Sequence, residues 1–205
     1  MDVHQNMDNS PSSFALYKVI SAFHPVLLPS RQNLRDTCNV FNLPFSNQMV
    51  PILDNGTTTC LEFLTLSCAA TETTPGDGNC LFSALSFCLT KSFAYNFHLR
   101  QQICNNMDQV PFNNLHLLSR NGRPYSHVAE YILLERMDQN SVEGGDMEIS
   151  TFCFFSGIDV MVYQSNIKCW LRYNGLRATD DVRPQVFLHH RGRHWEPITH
   201  LRVTG

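Results

Sequence analysis

A cysteine, a histidine and two carboxylates stand in this chain where nucleophilic chemistry would need them. Cys80 follows Pro75-Gly76-Asp77-Gly78-Asn79, a dense turn signal, and precedes apolar residues at Leu81, Ala84, Leu85, Cys88 and Leu89, the spacing of a buried helix. The cysteine therefore falls on the first turn of that helix. The positive end of the helix dipole favours a thiolate there, which is the better nucleophile. Gly76 and Gly78 flank Asp77 and let the loop fold tightly with its amides pointing one way, as an oxyanion hole requires. The same residues also fit a plain turn in which Asp77 or Asn79 caps an ordinary helix.

His194 opens the last predicted strand, directly after the turn His190-Arg191-Gly192-Arg193. A general base needs this combination of fixed position and access to solvent. Glu196 lies two residues on, on the same face of a strand, where a carboxylate can hold the imidazole in its working tautomer. Cys80, His194 and Glu196 thus read as nucleophile, base and orienting acid. His189, His190 and His194 do not read as a zinc site, because adjacent strand residues face opposite ways and there is no HExxH spacing.

The elements that must hold these residues divide the chain in two. Residues 1–13 are polar and expected to fray, 14–28 are apolar enough to pack, Arg31 to Asn42 fits a short helix, and 59–70 is apolar without a decisive period. No chemical motif occurs before residue 71, so 1–71 reads as an extension partly packed on the core and 72–205 as the domain that carries the chemistry. After the Cys80 helix, a helix is predicted from Tyr95 to Met107 with Phe97, Ile103 and Met107 inward, and 113–123 is less regular. A further helix runs from a Ser126 cap to Met137, its one apolar face set by the spacing of Val128, Ala129, Ile132, Leu133 and Arg136. Another begins at Asp146, with Met147, Ile149, Phe152 and Cys153 inward. Beyond Gly157 the period changes, predicting strands at Ile158 to Tyr163, Lys168 to Tyr173, Gln185 to His189 and His194 to Leu201. Helices first and strands afterwards predict an α+β fold, helices packed on a sheet drawn mainly from the C-terminal half.

Composition narrows the function. The formal charge is -3 with a pI near 6.3, and the 15 Lys and Arg residues form no run beyond Arg191 to Arg193, so no nucleic-acid footprint is visible. No apolar stretch approaches a membrane span of about 18 residues, and the N-terminus has no basic region leading into an apolar one. A soluble, cytoplasmic protein is expected. The eight cysteines form no CxxC pair and most sit among apolar neighbours, which predicts free, mostly buried thiols. Asn55-Gly56-Thr57 has the form of a glycosylation acceptor and reads as a turn.

Asp77-Gly78-Asn79-Cys80-Leu81-Phe82 with Ala84-Leu85, then Gly144-Gly145 with Glu148, a strand at Ile158 to Tyr163, and His194-Trp195 closely resemble, in this order, the ovarian tumour (OTU) family of papain-like cysteine peptidases. The resemblance covers roughly residues 72–200. It implies a deubiquitinase that cleaves after the C-terminal glycine of ubiquitin or a ubiquitin-like modifier, acting as a monomer on their conjugates, with no metal or organic cofactor. By position it makes Cys80 the nucleophile, His194 the base and acid, Asp77 the loop aspartate, and Gly78 and Asn79 part of the substrate-binding loop. Trp195 becomes a wall of the channel for the Gly-Gly tail. Two positions depart from the family: Glu196 stands where Asn or Asp is usual, and Glu143 where Trp often precedes the glycine pair. The first departure motivates an alternative, a ubiquitin-binding module with weak turnover.

Overall fold

The structure, a computed structural model, describes residues 16–20, 25–47, 52–53, 66–112, 124–177 and 181–203. The polar stretch 1–13, the turn expected at Asn55-Gly56-Thr57, residues 59–65 and the stretch 113–123 lie outside the described residues.

Four strands come from the C-terminal half, β4 (Asp159–Gln164), β5 (Cys169–Tyr173), β6 (Gln185–Arg191) and β7 (His194–Val203), and three from the first third, β1 (Lys18–Ile20), β2 (Ile52–Leu53) and β3 (Leu66–Thr71). They form one seven-stranded sheet in the order β1-β5-β4-β6-β7-β2, with β3 also paired to β7. β4 and β6 run parallel, β5 is antiparallel to β1 and β4, and β7 is antiparallel to β6 and β3 but parallel to β2. The centre of the sheet is buried on both faces, which is why its strands read as nearly unbroken apolar runs. Val160, Val162, Leu171 and Leu188 face the helices. Met161, Trp170, Phe187 and Ile198 pack on the other face against Val26. There Gln185 holds the 25–28 segment by donating to the Pro25 carbonyl (3.0 Å) and accepting from the Leu27 amide (3.3 Å).

Among the described residues five α-helices complete the α+β fold: α1 (Arg31–Val40), α2 (Cys80–Thr90), α3 (Asn96–Asn106), α4 (Val128–Glu135) and α5 (Asp146–Ser156). α2 is the central one, buried along nearly its whole length and packed on β7, β6 and α3. The inward residues expected of α5 are all buried. Two expectations for helix faces are corrected. Phe97 is exposed, because α3 buries the face carrying Leu99, Arg100, Ile103 and Cys104. Ala129 and Leu133 are exposed, Leu133 at 75%, because α4 ends at Glu135 and turns Val128 and Tyr131 inward. Its cap is His127, whose ring accepts from the Glu130 amide (3.1 Å), and not Ser126.

β7 changes partners halfway along. Its first residues pair with β6 as far as Pro197, which cannot donate to a ladder. From Ile198 onward it pairs with β3, Thr71 opposite Ile198. The switch brings the end of β3 and the linker that follows it beside His194.

Candidate active site

Cys80 begins α2, and its thiol, buried at 4% exposure, donates to the Arg193 carbonyl at 3.9 Å. The helix start and the β6–β7 turn thereby meet at the cysteine, and His194 is the residue after that carbonyl. Burial pushes the Cys80 thiol above its ordinary value; amide hydrogen bonds from Trp195 and Leu81 oppose this and the Glu143 charge adds to it. Burial thus works against the thiolate that a helix N-terminus favours.

The loop before the cysteine is held from several sides. Asp77 is exposed, and its carboxylate accepts the Asn79 amide (2.9 Å), closing a side-chain turn over the loop. Gly78 is needed for two reasons: its φ is +82°, and a Cβ would fall 2.3 Å from the Ser141 carbonyl oxygen. Asn79 occupies the N-cap position, yet its side chain does not cap α2. Its carbonyl oxygen instead accepts from the Ser141 amide (3.0 Å) and from Arg100 (2.9 Å). The first-turn amides of α2 are therefore not capped by the Asn79 side chain.

Arg100 is fully buried beneath this loop. Its guanidinium donates to the Met137 carbonyl (2.9 Å), the Gly78 carbonyl (3.3 Å), Asn79 and the Val142 carbonyl, and it stacks 3.9 Å over the Phe82 ring. The sequence gives no local signal for it, since it lies on α3 far from either motif.

On the strand side, His194 Nε2 lies 3.0 Å from the Thr74 hydroxyl and 4.0 Å from Glu196 Oε1. Glu196 accepts a hydrogen bond from Thr71 (2.8 Å) and its Oε2 is 3.8 Å from His189 Nδ1. His194 and Glu196 share a neighbourhood, but the imidazole's direct hydrogen-bond partner is Thr74, which the motif reading passed over. Trp195 points to the other face and stacks on His190 with centroids 4.0 Å apart.

A cleft of about 350 Å³ lies on the Trp195 side, between Glu143, Gly144 and Gly145 on one side and His190, Arg193 and Trp195 on the other; Cys80 and His194 do not line it. Arg193 reaches across it to Glu143 (2.7 Å). Gly144 packs on α2 so closely that a Cβ would meet Phe82 at 2.8 Å and Leu81 at 2.9 Å. Behind the cleft, Glu148 is fully buried and accepts from the Gly145 amide (2.7 Å) and the Tyr131 hydroxyl (2.9 Å), tying α5 and α4 to the glycine loop. Among the described residues no group of three or more His, Cys, Asp or Glu side chains could hold a metal ion.

No protein-family model and no curated protein sequence matches this chain. Among solved structures, the OTU domain of OTUD1 superposes with a TM-score of 0.50 at 18% identity, covering 62% of this chain and 83% of that one. The viral OTU domain protease from Dera Ghazi Khan virus gives 0.48 at 20% identity over 66% of this chain and 81% of the other. An OTU domain in complex with ubiquitin gives 0.47 at 20% identity over 66% and 69%. The helices packed on this mixed sheet, with α2 at their centre, have the fold of the OTU domain.

Proposed function

We propose that this chain is a thiol-dependent isopeptidase that hydrolyses the bond after the C-terminal glycine of ubiquitin or a ubiquitin-like modifier. The observation that carries the reading is the meeting of the Cys80 thiol, at the start of a buried helix, with the backbone that leads into His194, within an OTU fold. The resemblance of the motifs around both residues supplies the substrate class. The cleft suits an extended, unbranched tail, because Gly144, Gly145 and Gly192 line it without side chains and Trp195 offers a flat wall.

Because burial raises the thiol, the cysteine rests protonated in this reading and His194 acts as a general base at the moment of attack. The Cys80 proton moves to His194 as sulfur bonds to the glycine carbonyl carbon. The resulting oxyanion is held by the first-turn amides of α2, and each such donor is worth on the order of 3 kcal/mol. The imidazolium returns its proton to the leaving amine, the C–N bond breaks and a thioester remains. Water, deprotonated by the same imidazole, then hydrolyses it. Asp77 and Asn79 shape the oxyanion loop, Gly78 permits its turn, and Glu196 supplies negative charge near the imidazolium. The enzyme acts as a monomer in the cytoplasm.

A second reading, a ubiquitin-binding module with weak turnover, draws on the raised Cys80 thiol and the 4.0 Å gap between Glu196 and His194. A ubiquitin probe with a C-terminal electrophile separates the two. The isopeptidase predicts an adduct on Cys80, read by mass spectrometry, that Cys80→Ala abolishes and His194→Ala slows by about a hundredfold or more. Binding of ubiquitin without any adduct selects the second reading. Reaction with a ubiquitin-like probe alone keeps the chemistry and changes the substrate.

A further inference from the structure

Thr74 is the single buried residue of the linker 72–77, at 3% exposure between exposed neighbours. It leaves β3 just where β7 turns away from β6, so its hydroxyl reaches the first two residues of β7. Two contacts share that one oxygen: the Trp195 carbonyl at 2.6 Å and His194 Nε2 at 3.0 Å. A carbonyl can only accept, and a threonine hydroxyl has one proton to give. The proton is committed to Trp195. Toward His194 the hydroxyl oxygen is therefore the acceptor, and Nε2 must carry the hydrogen.

From this geometry we propose that Thr74 is a positioning residue that fixes His194 as the Nε2–H tautomer. Resting on the isopeptidase reading above, the assignment gives the histidine its direction of action. In the neutral Nε2–H tautomer the lone pair sits on Nδ1, and that nitrogen takes the Cys80 proton. The Nε2–H bond to Thr74 stays in place through both protonation states, so the ring does not turn as it gains and loses a proton. Thr74 thus does what the side chain two residues beyond the histidine was expected to do. Glu196, 4.0 Å from Nε2 and held by Thr71, contributes charge without setting the tautomer.

The test has one arm that does not depend on activity. In Cys80→Ala protein at about pH 8.5, well above the ordinary histidine value, nitrogen-15 spectra of labelled imidazoles distinguish protonated from unprotonated ring nitrogens, and loss of a signal in Cys80→Ala/His194→Gln assigns it. The expected result is Nε2–H for His194, with the Nδ1–H form appearing when Thr74→Val is added to Cys80→Ala. Retention of Nε2–H alone in that double variant overturns the proposal, as does Nδ1–H in Cys80→Ala itself. In protein with Cys80 present, Thr74→Val should label with the ubiquitin probe about tenfold more slowly, the scale of one lost hydrogen bond, and Thr74→Ser should restore the rate. Equal rates for Thr74→Val and the parent protein also overturn it. If the parent protein takes no probe, the isopeptidase reading falls, while the nitrogen-15 comparison still decides the role of Thr74.

Discussion

His189 and His190 are adjacent on β6 and meet opposite environments. His189 is buried on the face of Glu196 and Tyr163, its Nε2 without a hydrogen-bond partner, while His190 stacks on Trp195. Burial holds both imidazoles below the ordinary histidine value. Arg191 pushes His189 the same way and Glu196 opposes it; for His190 the opposing charge is Asp146, and His189 adds to the lowering. A histidine depressed in the folded state is protonated first in the unfolded chain, so stability falls as pH drops below about 6.5 and holds above it. The urea midpoint should be lower at pH 5.5 than at pH 7.5, and His189→Phe/His190→Phe should lose less over the same interval. An equal loss in the double variant would refute the assignment. Comparing the two proteins removes the contribution of Glu148 and Asp159, whose carboxyls burial pushes up and which act in the opposite direction. That neighbouring histidines face apart was legible from strand period alone. What each one meets was not, because cross-strand neighbours depend on register. The same contrast holds in the site: Cys80 on a first turn and His194 at a strand start could be read locally, whereas Thr74 matters only because β3 pairs with β7.

At the scale of elements, α2 and α3 work as a pair joined by Arg100. A charged side chain at zero exposure is costly unless its donors are met, and here the guanidinium ties the Cys80 loop (Gly78, Asn79) to the 137–142 segment. Arg100→Leu would take away the donor that the carbonyl oxygens of Met137, Val142 and Gly78 have here, while Asn79 keeps the Ser141 amide. At about 1–3 kcal/mol for each unsatisfied group, the expected loss is at least about 3 kcal/mol, measured by urea unfolding. Arg100→Lys should recover less than half of it, because one ammonium cannot spread over acceptors that the planar fork reaches in several directions. Full recovery with lysine would mean that charge, and not the fork, holds the loop. Both helices were visible in the sequence as apolar patterns, and the expected bounds of α3, Tyr95 to Met107, lie within a residue of those observed. Arg100 was not, since a lone arginine among polar residues of α3 looks like any solvent-facing one, and Phe97 took its place among the expected inward residues.

For the whole molecule, the question is whether residues before 72 are an appendage or part of what folds. β1 extends the sheet beyond β5, and β3 runs along the second half of β7. α1 puts Leu34, Cys38 and Phe41 into the core at 0–1% exposure; Phe41 stacks on Phe152 with centroids 5.3 Å apart, and Thr37 donates to the Ser156 carbonyl (3.3 Å). Burying a leucine or phenylalanine is worth about 2–3 kcal/mol. Losing Leu34 and Phe41 together with the β3 ladder removes much of the 5–15 kcal/mol that typically holds a domain. Residues 72–205 alone should therefore show no cooperative thermal transition by circular dichroism, where the full chain shows one. A cooperative transition at the same midpoint would instead make the first third an appendage. The site gives this outcome its weight: Thr71 and Thr74, which hold Glu196 and His194, stand on β3 and the linker that β3 positions. The first third has no chemical motif of its own, yet the histidine side of the site is built on its last strand.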